Sequence, residues 1–431
     1  MLQKMLDFLF ASPTAFQAVE QIRNELVAHG YQELVETKTF DLERGGKYFV
    51  CRNGSSIIAF NIGKKVKEGS FKIVSSHLDC PSFKLKPNLL IKDGRYVKLN
   101  TEPYGGPLYY PWFDRPLSIA GRAIIETENG VRWQNFNVDK DLCLIPSTAI
   151  HMNREVNKGY AFNQQTDLLP IIGIDQDFDI RALLGKEVGV AKEQIVGFDA
   201  FLYPRVKGMI WGDDDCFVSS HHLDDLESGF TTFMGFIDNF NDYDVNIYAG
   251  FDNEETGSLS RQGADSDFME LTLQKIGEGL GFRYEEALAR SMYLSTDNAH
   301  AVHPAHPEKS DPTNRCEMNK GIVIKFNANQ SYTSDALSMN VLTHILKKEN
   351  IPYQVFTNRS DMRGGGTLGN ISNRHASLMS VDIGLAQLAM HSCYETAGSK
   401  DVQYMIDGVK AFMASHIEFD GHNSFAIEKQ Q

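Results

Sequence analysis

The sequence predicts an α/β protein: a three-layer α/β/α domain around a central mixed sheet, interrupted by an inserted β-rich unit. Three observations carry this. Apolar runs of strand length alternate with amphipathic stretches of helix length over residues 1–87 and 205–431. Between 88 and 204 the texture changes to short apolar runs broken by Gly, Pro and Asn. Short polar motifs stand where apolar strands stop, which is where an open α/β sheet presents its functional groups. At 431 residues the chain exceeds one ordinary domain.

In chain order, residues 12–34 follow a Ser-Pro-Thr start, and Phe16, Val19, Ile22, Leu26 and Val27 recur at helical spacing, predicting a helix. Residues 71–74 read as a buried strand that ends at His77. Inside the β-rich stretch, 95–99, 120–126 and 131–136 are predicted strands. Beyond Trp211 the alternation resumes, with helices over 222–240, 267–280, 335–348 and 401–415. Strands are predicted over 245–250, 292–295, 322–326, 353–356 and 378–383. Such alternation covers a sheet with helices on both faces. Because the β-rich stretch interrupts it, an insertion over 88–204 fits better than two tandem domains. Residues 427–431 read as a frayed end.

Composition narrows the function classes. With 42% hydrophobic and 23% charged residues the chain can bury a sizeable core. A formal net charge of −14 argues against a nucleic-acid-binding surface. It does not exclude acidic substrates, because distant charge is screened. The six cysteines form no CxxC pair, so a zinc ribbon or a disulfide framework is not expected, and reduced thiols in a cytoplasmic protein are. The N-terminus lacks a signal-peptide core, and no apolar stretch reaches membrane-spanning length.

Five motifs carry chemistry: Ser76-His77-Leu78-Asp79, Leu223-Asp224-Asp225, Asp252-Asn253-Glu254-Glu255, Ser295-Thr296-Asp297 and Met390-His391-Ser392. Together they supply what two divalent cations need: two imidazoles, several carboxylates and a spare base. Asp79 lies two residues beyond His77, on the same side of extended chain, where it can orient the ring; a satisfied loop network fits as well. Asp224 and Asp225 open a predicted helix, where capping is the ordinary role of acidic residues, although one could bridge metals while the other caps. Four polar residues at a strand exit are costly to bury without a partner. Glu255 could then be a ligand and Glu254 a base, against the alternative of a solvated loop.

Asp297 is the expected ligand in its motif, since Pro304 and Pro307 break helical pairing among His300, His303 and His306. Alone, His391 would read as a core histidine. Lys325, inside an apolar run, could snorkel or pair with a substrate anion. The glycine-rich 364–369 segment, with Gly365 and Gly366 at its centre, lacks the phosphate-loop pattern and suits close packing or contact with a substrate backbone.

Taken together these residues resemble the aspartyl aminopeptidase family of dinuclear zinc exopeptidases. The resemblance covers nearly the whole chain. Residues 252–258, 295–304, 325–330, 104–106, 112–115 and 387–392 are close to family signatures. Departures are Leu78 between His77 and Asp79, Pro107 in place of a third glycine, and Arg363 beside the glycine loop.

The resemblance implies two Zn²⁺ bridged by Asp224, with His77 and Asp297 on one ion and Glu255 and His391 on the other. Co²⁺ or Mn²⁺ could replace zinc in such carboxylate-rich sites. It further implies a bridging-water mechanism with Glu254 as general base, and Asp79 orienting His77. The substrates implied are peptides with a free N-terminus, the preferred residue staying open although Lys325 fits an acidic one. The inserted unit would make dimer contacts, dimers would assemble into a tetrahedral dodecamer, and His151 would reach a neighbouring subunit's active site. A catalytically weak member serving as an oligomeric scaffold is the alternative. The intact Glu254 and ligand set argue against it.

Overall fold

A computed structural model describes residues 1–174, 178–362 and 364–429. Its main sheet has nine strands. Across the sheet they run Gln32–Leu34, Lys47–Arg52, Ser56–Ile62, Val245–Phe251, Phe71–His77, Met292–Thr296, Met379–Gly384, Ile322–Phe326 and Tyr353–Thr357. The four from Val245–Phe251 to Met379–Gly384 are mutually parallel, so Phe251, His77, Thr296 and Gly384 end on one edge. Ser56–Ile62 and Ile322–Phe326 pair antiparallel on either side of this block, which makes the sheet mixed.

Side-chain alternation explains why the sheet is a middle layer. Phe71 and Ile73 enter one core, with Val245, Ile247, Ala249 and Phe251 beside them. Val74 and Tyr248 enter the other, with Met292, Leu294, Val381 and Ile383. Helix Phe268–Leu280 supplies Phe268, Leu273 and Ile276 to the first core. Helices Leu2–Ala11, Ala15–Ala28, Leu223–Phe236, Ala336–Lys348 and Asp401–Ala414 close the second. Each fully buried aliphatic or phenyl side chain contributes about 1.5–3 kcal/mol, so strands buried on both faces read as near-continuous apolar runs. The resulting three layers are those expected. Among the described residues no helix is long and apolar enough to cross a membrane.

A second, antiparallel sheet takes six strands, from Ser82–Asp93 to Ile195–Pro204 in chain order. It packs helix Ile180–Val188 against its own core, which includes Phe83, Trp112, Ile119 and Leu202. A third sheet runs Met209–Trp211, Phe217–Ser220, Glu395–Gly398, Ala386–Leu388 and Ala299–His300. All six cysteines are free thiols.

Some expectations change. The 12–34 helix is shorter: Thr14 caps Ala15–Ala28 by accepting from the Phe16 amide at 3.2 Å, and Gly30 at φ +81° turns the chain into strand Gln32–Leu34. Helix Leu2–Ala11 went unpredicted, although it buries Met5, Leu6 and Leu9 and leaves Lys4 and Asp7 exposed. Phe425–Lys429 pairs with Ser415–Phe419, so Ile427, Glu428 and Lys429 are not frayed; Gln430 and Gln431 lie outside the described residues. Arg363 lies outside them as well.

Candidate metal centre

The parallel strand ends deliver the predicted groups to one place. His77 is the last residue of its strand, Asp297 follows Thr296, and the turn after Phe251 carries Glu254 and Glu255. Helix Leu223–Phe236 brings Asp224 in its first turn, and the loop beyond Ala386–Leu388 brings His391. His77, Asp224, Glu254, Glu255, Asp297, Lys325, Gly365, Gly366 and His391 line a single cavity of about 360 Å³.

Asp224 sits between the two imidazoles. Its Oδ1 is 3.5 Å from His77 Nε2, and its Oδ2 is 3.3 Å from His391 Nε2. His391 Nε2 is also 3.5 Å from Glu255 Oε2. One group of potential ligand atoms, from His77, Asp224 and Asp297, lies within 4.8 Å of one another, and so does a second from Asp224, Glu255 and His391. A third such group, His77 with Glu254 and Glu255, shows how close Glu254 stands. Both rings are steered by their other nitrogen: His77 Nδ1 lies 3.0 Å from the Asp79 carbonyl, and His391 Nδ1 lies 3.0 Å from the Gly106 carbonyl. A carbonyl can only accept, so in each case Nδ1 carries the proton and Nε2 faces the centre.

The electrostatics suit a cation. Burial pushes Glu255 well above the usual carboxylate range, and the neighbouring Asp224 adds to it. Burial likewise lifts Glu254, to about 7, with Asp297 and Asp79 adding to the shift. Burial opposes ionisation of Asp224, yet the His391 and His77 rings hold it below its ordinary value. Burial also works against protonating His77, but the nearby carboxylates of Asp224 and Asp79 raise it well above normal. Protons on the imidazoles thus balance the bridging carboxylate, a place that divalent cations would take over from them. The buried Asp224 Oδ1 and Glu255 Oε1 have no hydrogen-bond partner. Buried carboxylate oxygens are rarely left so, and hard metal ions would use both. The donor set fits zinc.

Several residues act differently from expectation. Asp79 meets the His77 ring mainly through its carbonyl, its Oδ1 standing at 3.4 Å. Its carboxylate accepts the amides of Glu254 (3.0 Å) and Glu255 (3.2 Å) and the Tyr104 hydroxyl (2.7 Å), fastening the acidic turn to the His77 strand. Asp225 does not cap its helix; its Oδ2 accepts the His77 amide at 3.2 Å. Lys325 does not snorkel: its buried Nζ donates to the Asp297 carbonyl at 2.8 Å and the Asn298 carbonyl at 3.3 Å. His300 joins the cavity wall, whereas His303 and His306 stack on each other at the surface. His151 is exposed in the β-rich unit and is not among the residues lining the cavity.

Sequence reasoning missed Tyr104, as a hydrogen-bonding group, and Glu395. Both are buried or nearly so; Tyr104 binds Asp79, and Glu395 joins the nearby His391 amide to the distant Asp224 amide, a pairing that no local spacing reveals.

Comparison with known proteins adds the following. The profile of the family described as Aminopeptidase I zinc metalloprotease (M18) matches residues 8–413. A probable M18 family aminopeptidase 2 of Clostridium novyi (strain NT) is 44% identical over 422 residues, covering 95% of this chain and 96% of that one. Among solved structures, the Ape4 chain determined by cryo-EM in complex with Nbr1 superposes with a TM-score of 0.92 at 34% identity, over 96% of this chain and 85% of that one. The S. cerevisiae mApe1 dodecamer gives a TM-score of 0.84 at 25% identity over 95% of each chain.

Proposed function

The chain belongs to the aminopeptidase I zinc metalloprotease (M18) family, whose members are metal-dependent aminopeptidases, and we propose that it removes residues from the free N-terminus of peptides with two zinc ions per subunit. Asp224 would bridge the ions, His77 and Asp297 completing one site and Glu255 and His391 the other. The observation that carries this is the Asp224 carboxylate, whose two oxygens face different imidazoles at 3.5 and 3.3 Å. Bound zinc supplies Lewis acidity that polarises a peptide carbonyl and acidifies water, and cobalt or manganese could serve in its place.

Glu254 is the general base: it takes the proton from the attacking water and returns it to the leaving amine. Asp79 keeps it in reach by holding its amide. The acidic wall favours a free α-ammonium over a blocked N-terminus, which selects the end of a peptide rather than its interior. Two of the three Lys325 ammonium hydrogens have main-chain acceptors and Asp297 Oδ2 stands 3.9 Å from Nζ, so an anionic substrate group would share the third with that carboxylate. Gly365 and Gly366, with open space where a Cβ would stand, let a substrate backbone approach.

Residues 88–204 form an inserted unit in this reading, one that makes dimer contacts in a cytoplasmic dodecamer and sends His151 into a neighbouring active site. Exposed Val131, Trp133, Ile150 and Met152 support an interface there. The test is metal analysis against activity. Chelator-stripped protein should be inactive and recover fully only at two equivalents of zinc per chain. Full activity at one equivalent would contradict the two-ion reading.

A further inference from the structure

Glu395 lies on strand Glu395–Gly398 of the third sheet, 1% exposed, behind the cavity rather than in it. Its Oε2 accepts the Asp224 amide at 3.0 Å, and its Oε1 accepts the His391 amide at 2.8 Å. Both amides need such a partner. Asp224 heads a helix, where N–H groups lack intrahelical acceptors. His391 stands at φ +67°, a left-handed conformation that a residue with a side chain resists. The other candidate ligands are held otherwise: the His77 amide by Asp225 and the Asp297 amide by the Ile383 carbonyl.

A carboxyl group can offer one oxygen to each of these two amides, and Oε2 and Oε1 divide between them in that way. An amide side chain would satisfy one and turn an N–H toward the other. Glu395 therefore fixes Asp224 and His391 relative to each other, and these two residues share a ligand group with Glu255. We propose that Glu395 is a positioning residue that sets the affinity for the ion on the His391 side, two of whose ligands it holds, more strongly than for the ion on the His77 side, which shares only Asp224. The proposal rests on the two-ion reading.

The test uses full-length protein, Glu395→Gln and Glu395→Asp, loaded with zinc and titrated with a competing chelator. Metal content is measured by mass spectrometry, and site occupancy by anomalous scattering at the zinc edge. The variants should bind the His391-side ion 10–100-fold more weakly, the usual scale for groups that orient ligands. The other ion, which shares only Asp224 with this arrangement, should be weakened less, and turnover should return toward the parent value as free zinc is raised. Unchanged affinity, or equal weakening at both sites, overturns the proposal. Parent protein that never holds more than one ion overturns the two-ion reading and the proposal with it. A second measurement needs no variant: in metal-free parent protein the Asp224 and His391 amides should already be protected from hydrogen exchange. Exchange as fast as in an open loop overturns the proposal.

Discussion

Asp224 turns one oxygen toward His77 and the other toward His391, while Glu254 lies close to His77 without sharing the Asp224 groups. The proposed reading of Glu254 as base and not ligand gives a direct prediction. Glu254→Gln should keep its metal content and lose turnover by at least about 10²-fold, the scale of general-base catalysis. Steady-state kinetics with metal analysis checks this, and near-normal turnover would remove Glu254 from the role. His77, Glu254, Glu255 and Asp297 were legible as candidates because each stands at or just after the end of an apolar strand, where burial needs a partner, whereas Asp224 and His391 gained their roles only from the family resemblance. Glu395 and Tyr104 were not legible. Glu395 joins the His391 amide, four residues away, to the Asp224 amide, which only folding brings near, and Tyr104 reaches Asp79 from another sheet.

The elements were readable in proportion to their burial. The central parallel strands are covered on both faces, so Val245–Phe251 and Met292–Thr296 are buried along their whole length and stand out in the sequence. Ala386–Leu388 and Glu395–Gly398 are too short to show a period, yet they place His391 and Glu395. The hairpin Lys47–Arg52 and Ser56–Ile62, turned at Asn53-Gly54, carried a readable turn signal and went unpredicted. Lys72, on the His77 strand, offers a test at this scale. Burial pushes its pKa down to about 7, while its Nζ donates to the Ser415 carbonyl. Between pH 7 and its ordinary 10.5 the unfolded chain holds a proton there that the folded chain lacks. Lys72 therefore adds stability as pH rises through that window, by at most about 1.4 kcal/mol per pH unit. Denaturant unfolding of the parent and Lys72→Met proteins should show the parent gaining on the variant from pH 7 to 10. A constant difference would contradict the shift.

At the scale of the whole molecule, the nine-stranded sheet holds the centre together, and Val131 and Trp133 on the β-rich sheet and Ile150 and Met152 in the loop beyond it are exposed. His151, remote from its own cavity, links the two if it acts across subunits. His151→Ala should then lower activity while sparing metal content and the melting temperature, and an unchanged rate would reject the contact. The mixed sheet and its interruption by strands of another texture were legible from periodicity. The partner of the exposed apolar face was not, because a surface patch names no occupant.

The most direct measurement is hydrolysis of an aminoacyl panel (Asp, Glu, Leu, Lys, Arg), each with a free and an N-acetylated amine, by chelated and metal-restored protein. Free-amine substrates should be cleaved only after zinc or cobalt is restored, with the acidic members favoured if Lys325 selects them. Cleavage of the acetylated substrates, or activity that survives complete metal removal, would contradict a metal-dependent aminopeptidase built on this centre.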